Sequence, residues 1–317
     1  MSSLVEIGNV SVRYRLDRSS KLIAVNDISM DIDSGTILGL VGESGCGKSS
    51  FGRAIAGIRP PTSGRIRIDG RELTSDRTRD DARLVQMVVQ DPSSALNPAR
   101  TIGSTITELL LVHGLAVDRS TARNRAEELL DSVELPASVF DRRPDALSGG
   151  QRQRVGIARA LALQPQVLIA DEAVAALDSI VKKSVVRLLA QLRKDLGLTI
   201  IFISHDLTVV RQLCDDIAVM YLGRIVERQS TEALFHSPRH PYTAALLAAQ
   251  PRVGHQLDVT TKPALAGDPP SPIHIGSGCA FASRCSIAQT ICTTMAPVAL
   301  DVSSTSMVRC HFPLSTG

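Results

Sequence analysis

Gly42-Glu43-Ser44-Gly45-Cys46-Gly47-Lys48-Ser49 fits the phosphate-binding loop pattern G-x-x-x-x-G-K-[ST]. Ahead of it, Thr36-Ile37-Leu38-Gly39-Leu40-Val41 is an apolar run of strand character; behind it, Ser50-Phe51-Gly52-Arg53-Ala54-Ile55-Ala56 reads as a helix. A strand, a glycine turn and a helix N-terminus aim several backbone N–H groups at one point, which suits polyphosphate. Glycines let the main chain wrap an anion without Cβ clashes. In that setting Lys48 neutralises the β- and γ-phosphates, and the Ser49 hydroxyl completes the shell of a Mg²⁺ ion. A glycine-rich surface turn would explain the glycines but not their flanks. The stretch predicts a nucleoside triphosphate site spanning Gly42 to Ser50.

Three other strand ends carry matching chemistry. Val167-Leu168-Ile169-Ala170 runs into Asp171-Glu172, placing two carboxylates at the carboxyl edge of a buried strand. Asp171 is expected to hold the Mg²⁺, and Glu172 to act as general base on an attacking water. Leu198-Thr199-Ile200-Ile201-Phe202-Ile203 ends at Ser204-His205-Asp206, which brings the His205 imidazole towards the γ-phosphate. Gln90 ends the apolar run Met87-Val88-Val89, where an amide ligates Mg²⁺ or orients water. Tyr14, in the early strands, is a candidate for stacking on adenine; a plain sheet aromatic is the alternative.

The composition excludes several classes. The 317 residues are 44% hydrophobic and 21% charged, ordinary for a soluble globular protein. Lys plus Arg number 35 against 32 Asp plus Glu, too balanced for a nucleic-acid footprint. Six Phe, three Tyr and no Trp leave little for base-stacking platforms. Met1-Ser2-Ser3-Leu4-Val5-Glu6 has no signal-peptide character, and no apolar run approaches the length of a spanning helix. A cytosolic location is expected, with any membrane role exercised through partners.

Alternating residues in Leu4–Ile7, Val10–Tyr14 and Ile28–Ile32 predict short strands of a half-exposed antiparallel sheet. Residues 92–160 carry helical periodicity, as in Ala122–Leu130, and strands alternating with helices predict an α/β core with a helical insertion. From about Pro238 proline recurs, cysteines gather and periodicity weakens, so 241–317 reads as a separate extension after a 1–240 body.

Leu147-Ser148-Gly149-Gly150-Gln151, followed by Arg152 to Leu161, resembles the signature motif and helix of the ATP-binding cassette (ABC) ATPases. The order phosphate loop, Gln90, signature, Asp171-Glu172, Ala176-Leu177-Asp178, His205 fits the same family over about residues 4–235. The resemblance implies a P-loop α/β core with an antiparallel β subdomain and a helical signature subdomain. It also implies that Ser148, Gly149, Gly150 and Gln151 meet the γ-phosphate bound by an opposite subunit, so that one chain cannot complete its own site. Physically, two glycines opening a helix make another anion-binding N-terminus.

Val89–Pro98, Ser148–Leu161, His236–Thr243 and the cysteine tail further resemble the ATP-binding subunits of peptide, dipeptide and nickel importers. This implies two membrane permease subunits, a second cassette subunit, a solute-binding protein, and a place on the cytoplasmic face of the membrane. Cys279, Cys285, Cys292 and Cys310 are spaced C-x5-C-x6-C-x17-C, and some members of that subfamily bind an iron–sulfur cluster on such thiolates. Four soft sulfurs suit a 4Fe-4S cluster or zinc, and unligated thiols are the third reading. Ala173 and Ser286 depart from the family pattern, where proline is usual, and touch no charged or liganding position. Cys46 lies inside the loop, so thiol alkylation is expected to inhibit. The competing functional reading is a soluble cassette ATPase acting on DNA or ribosomes; an exporter ATPase is a third.

Overall fold

The computed structural model describes residues 3–17, 20–74, 76–249, 267–271, 273, 276–303 and 306–315. Strands β1 (Ser3–Arg15) and β2 (Lys21–Asp33) pair antiparallel and open the chain; β3 (Ile37–Val41) then leads into helix α1 (Lys48–Ile55). Strands β4 (Ser63–Ile68) and β5 (Arg71–Glu72) complete a four-stranded antiparallel sheet of order β2-β1-β4-β5. The two strands expected before residue 15 are one. A register shift between Ile7 and Val10, with Asn9 at φ 50°, bends β1 without ending it, as a bulge does.

After α2 (Arg79–Leu84) and β6 (Val85–Val88), the helical insertion comprises α3 (Ile102–Val112), α4 (Arg119–Ser132) and α5 (Gly149–Leu161). The chain returns through β7 (Val167–Asp171), α6 (Ser179–Leu196), β8 (Thr199–Ile203), α7 (Leu207–Leu213) and the hairpin β9 (Asp216–Tyr221) and β10 (Arg224–Ser230). Strands β6, β7, β8, β3 and β9 are parallel neighbours at the heart of an eight-stranded sheet. Their unbroken apolar character follows from cover on both faces. Alternate residues serve two cores. Leu38, Leu40, Ile169, Ile201 and Ile203 pack with Phe51 and Ile55 of α1 and with the antiparallel sheet. Leu168, Ala170, Ile200 and Phe202 pack instead with the helices of the opposite face.

Beyond β10 come α8 (Thr231–His236), α9 (Pro241–Ala248), α10 (Thr290–Thr294), β11 (Leu300–Ser303) and β12 (Ser306–Val308). The extension is not a free appendage. β12 pairs with β10 through Glu227–Val308 and Arg228–Met307, and β11 pairs with β12, so the last strands extend the cassette's own sheet. Buried Glu227 accepts from the backbone N–H groups of Arg239 (2.7 Å) and His240 (2.9 Å), fixing the start of α9.

Candidate nucleotide site

The parallel strands end together, and the loop after β3 sits at that edge. Gly42, Gly45 and Gly47 have φ of 149°, 78° and 109°. A Cβ at Gly42 would lie 2.2 Å from the Met220 carbonyl oxygen, and one at Gly47 1.9 Å from that of Ala24, so only glycine fits at either position. Helix α1 starts at this turn with no side-chain cap, which leaves its first N–H groups for an anion. Lys48 is buried, and its Nζ donates to the carbonyls of Gly42 (2.8 Å) and Glu43 (2.9 Å), lying across the loop.

Ser49 Oγ donates to Asp171 Oδ1 at 2.9 Å, joining the phosphate loop to the end of β7. Burial raises the Asp171 carboxyl above its ordinary range, and the Ser49 hydroxyl opposes the shift. A buried carboxylate beside a hydroxyl offers two hard oxygen donors, so these residues fit Mg²⁺.

Next to it, Glu172 has φ 48°, the left-handed region that side chains rarely adopt, and its N–H donates to the Ile203 carbonyl at 3.0 Å. Such strain concentrates at functional positions. Glu172 Oε1 is 3.4 Å from His205 Nδ1, so the two proposed reacting groups come from neighbouring strands β7 and β8. Gln90 is exposed two residues past the end of β6, whose Val88 faces Ala170 on the sheet, and so lies at the same edge as Asp171. Tyr14 donates from its hydroxyl to Ser50 Oγ at 3.1 Å, while the Arg59 guanidinium sits 4.2 Å from its ring centroid. The ring borders α1, but Arg59 holds one of the positions an adenine would need.

The signature turn is built differently. Ser148 caps α5: its Oγ accepts from the Gln151 N–H (3.3 Å), and Gln151 Oε1 accepts from the Ser148 N–H (3.0 Å). This reciprocal capping box fixes the turn without any outside group. Ser148 and Gly149 face outward. Gly150 faces inward, where a Cβ would meet Val181 Cγ1 at 2.4 Å.

Two expectations on cysteines change. Cys46 is only 5% exposed and points into the protein beneath the loop, and burial raises its thiol pKa. It is therefore a poor target for alkylation. The four C-terminal cysteines do converge, but the cavity they line with Phe281 and His311 holds about 10 Å³. That admits at most one water. Among the described residues no group of three or more His, Cys, Asp or Glu stands where it could hold a metal ion.

Sequence reasoning treated Glu43 as a loop position and missed what it touches. Arg284, next to Cys285, donates from Nη1 to Glu43 Oε2 (2.7 Å) and from Nη2 to Oε1 (2.9 Å). A carboxylate inside an anion-binding loop is itself a signal that a cation must lie nearby, though not of which one.

Residues 25–175 match the family described as ABC transporter, and residues 226–292 match the C-terminal region of the oligopeptide/dipeptide transporter family. The oligopeptide transport ATP-binding protein OppF of Salmonella typhimurium is 40% identical over 319 residues, covering 97% of this chain and 95% of its own. The chain belongs to the ABC transporter ATP-binding proteins. OppF of Escherichia coli is 41% identical over the same coverage. Among solved structures, the dimeric post-hydrolysis form of the cassette MJ0796 bound to ADP and Pi aligns with a TM-score of 0.65 and 30% identity, over 72% of this chain and 98% of that one. The cbiO1 protein of Clostridium perfringens, part of the ABC transporter complex cbiONQ, aligns at 0.64 with 28% identity over 74% and 91%. The ABC ATPase fold expected from the signature is thus the fold of this chain, and ATP hydrolysis is its chemistry. The DNA- or ribosome-acting alternative draws no support from these relatives.

Proposed function

We propose that this chain is the ATP-hydrolysing subunit of an ABC importer for oligopeptides, dipeptides or similar small solutes. The carrying observation is the prepared Ser49–Asp171 pair and the outward-facing Ser148-Gly149 turn in a chain that also matches the oligopeptide/dipeptide C-terminal region. The backbone N–H groups of the loop and Lys48 hold the β- and γ-phosphates. Ser49 and Asp171, with Gln90, would hold Mg²⁺, which would supply positive charge to the phosphate oxygens. Glu172 takes a proton from water as the water oxygen attacks the γ-phosphorus and the bond to the β,γ-bridging oxygen breaks, giving ADP and phosphate. His205 stabilises charge on the γ-phosphate and orients Glu172. Tyr14 stacks on the adenine once Arg59 moves from its ring.

Ser148, Gly149, Gly150 and Gln151 of a second, identical or related cassette cover that phosphate, and separation after hydrolysis is passed to two permease subunits supplied by a solute-binding protein. Those permeases hold the chain at the cytoplasmic face; no described helix is long and apolar enough to cross a membrane. Residues 1–240 act as the cassette, with about 92–160 as its helical signature part, and 241–317 as a regulatory extension. The iron–sulfur expectation for Cys279, Cys285, Cys292 and Cys310 rests on the donor set alone; iron and sulfide assay of anaerobically purified protein tests it, and colourless, iron-free protein ends it.

The test of the main reading is light scattering of Glu172→Gln with and without ATP. ATP-dependent dimers are expected. A variant that binds ATP yet stays monomeric would sink the shared-site mechanism.

A further inference from the structure

Glu43 is the second residue of the phosphate loop, and each of its polar groups is engaged. Its carbonyl accepts from Lys48 Nζ (2.9 Å), its N–H donates to the Tyr242 hydroxyl (3.0 Å), and its carboxylate receives both arms of the Arg284 guanidinium. Two of these three partners lie beyond residue 240. The Arg284 side chain is 4% exposed and that of Glu43 23%, so the pair is largely withdrawn from water. Arg284 Nη1 also donates to the Tyr221 hydroxyl at 3.3 Å. Phe281, three residues earlier, packs against Tyr221 and Tyr242 with ring centroids 5.3 and 5.4 Å away. The hydrogen bonds to Glu43 are the main cause that raises the Arg284 pKa further above its already high ordinary value. The cysteine-rich extension therefore reaches back and grips the loop where triphosphate is to bind.

We propose that Arg284 is a positioning residue for ATP binding: it fixes and neutralises Glu43, so the phosphate loop of this chain depends on a cation supplied by the cysteine-rich extension. This deepens the ATPase reading and rests on it. A carboxylate left unpaired in the loop would repel a polyphosphate and turn outward to find water. With the bidentate pair made, the loop presents N–H groups and Lys48 to the ligand without an opposing charge. Arg284 is joined directly to Cys285, so the guanidinium is anchored in the same segment that carries the C-terminal thiols.

The experiment measures steady-state ATP hydrolysis, and ATP binding in the Glu172→Gln background, for Arg284→Ala, Arg284→Lys, Glu43→Gln and the neutral pair Glu43→Gln/Arg284→Gln. Arg284→Ala is expected to raise KM for ATP about tenfold, with kcat changed far less, since the charge acts on binding. Arg284→Lys, which keeps the charge but not the two-armed geometry, should fall between Ala and the parent. Glu43→Gln should bind ATP at least as tightly as the parent, and the neutral pair should restore the KM that Arg284→Ala loses. A purely structural role for Arg284 predicts loss in both single variants and no restoration. Parental KM in Arg284→Ala, or a neutral pair as weak as Arg284→Ala, overturns the proposal. If Arg284→Ala does not fold, Arg284→Lys against the neutral pair decides: equal KM values overturn it. Failure of the parent chain itself to bind ATP would instead refute the ATPase reading.

Discussion

The phosphate loop and the signature turn are both glycine turns opening a helix, yet they are supported in opposite ways. The loop is held from outside: by Met220 and Ala24 against its glycines, by Tyr242 and Arg284 at Glu43, and by Asp171 at Ser49. The signature turn holds itself through the Ser148–Gln151 capping box and shows Ser148 and Gly149 to solvent. A braced site and a self-capped, outward one are what a shared pocket requires. The first must receive ligand, while the second must be ready before its partner arrives.

Chemistry at the braced side gives the largest expected effect. Glu172→Gln should cut turnover by about 10²–10⁴ while ATP still binds, read as phosphate release against nucleotide binding. Undiminished release would remove Glu172 as the base. On the self-capped side, Gly149→Asp should cut hydrolysis by about 10²–10³, because it sets a carboxylate beside the helix-opening N–H groups proposed to face the partner's γ-phosphate. Nothing but Leu177, at 3.9 Å, lies near a Cβ there, so single-chain ATP binding and Tm should hold. Normal turnover would mean that the turn covers no phosphate.

The brace itself has a pH limit. His240 is buried at the start of α9, where its Nδ1 accepts from the Tyr242 N–H (3.0 Å), and burial lowers its pKa from 6.5 to about 4. Between those values the unfolded chain takes up a proton that the folded chain refuses. The contribution is therefore complete above pH 6.5 and lost as pH falls towards 4, about 3 kcal/mol in all. His240→Asn keeps a capping side chain and should flatten that slope in urea denaturation at pH 7, 5.5 and 4.5; an unaltered slope would clear His240.

Smaller effects separate the inner faces of the two turns. Gly150→Ala, whose Cβ would press on Val181, should destabilise by about 1–3 kcal/mol and lower Tm, where Gly149→Ala should not. Cys46, raised in pKa beneath the loop, should label at least about tenfold more slowly in the folded protein than after unfolding, by mass spectrometry at pH 8. Rapid labelling would contradict the inward placement.

The contrast also explains what could be read from residues alone. β7 and β8 are uninterrupted apolar runs because both faces are covered, so the carboxylates and histidine at their ends were legible with them. β10 is not, since Glu227, Arg228 and Gln229 lie buried in it and disguise a sheet strand as a polar segment. The self-capped turn is local and was fully visible as LSGGQ. The braces are not: Arg284 and Glu43 lie 241 positions apart, with no pattern linking them. Whether Cys46 faces ligand or interior is likewise set by the path of the loop against Met220, beyond the reach of spacing.

The short pairing of β12 with β10 carries a practical consequence for anyone trimming this protein. Shortening the chain before residue 300 would leave the Glu227–Arg228 rungs of β10 without their neighbours and convert a covered margin into a bare one. A naked strand of that kind recruits strands from other molecules. Cassettes cut at the apparent end of the nucleotide-binding body should therefore clump, while those that keep the final strands stay dispersed.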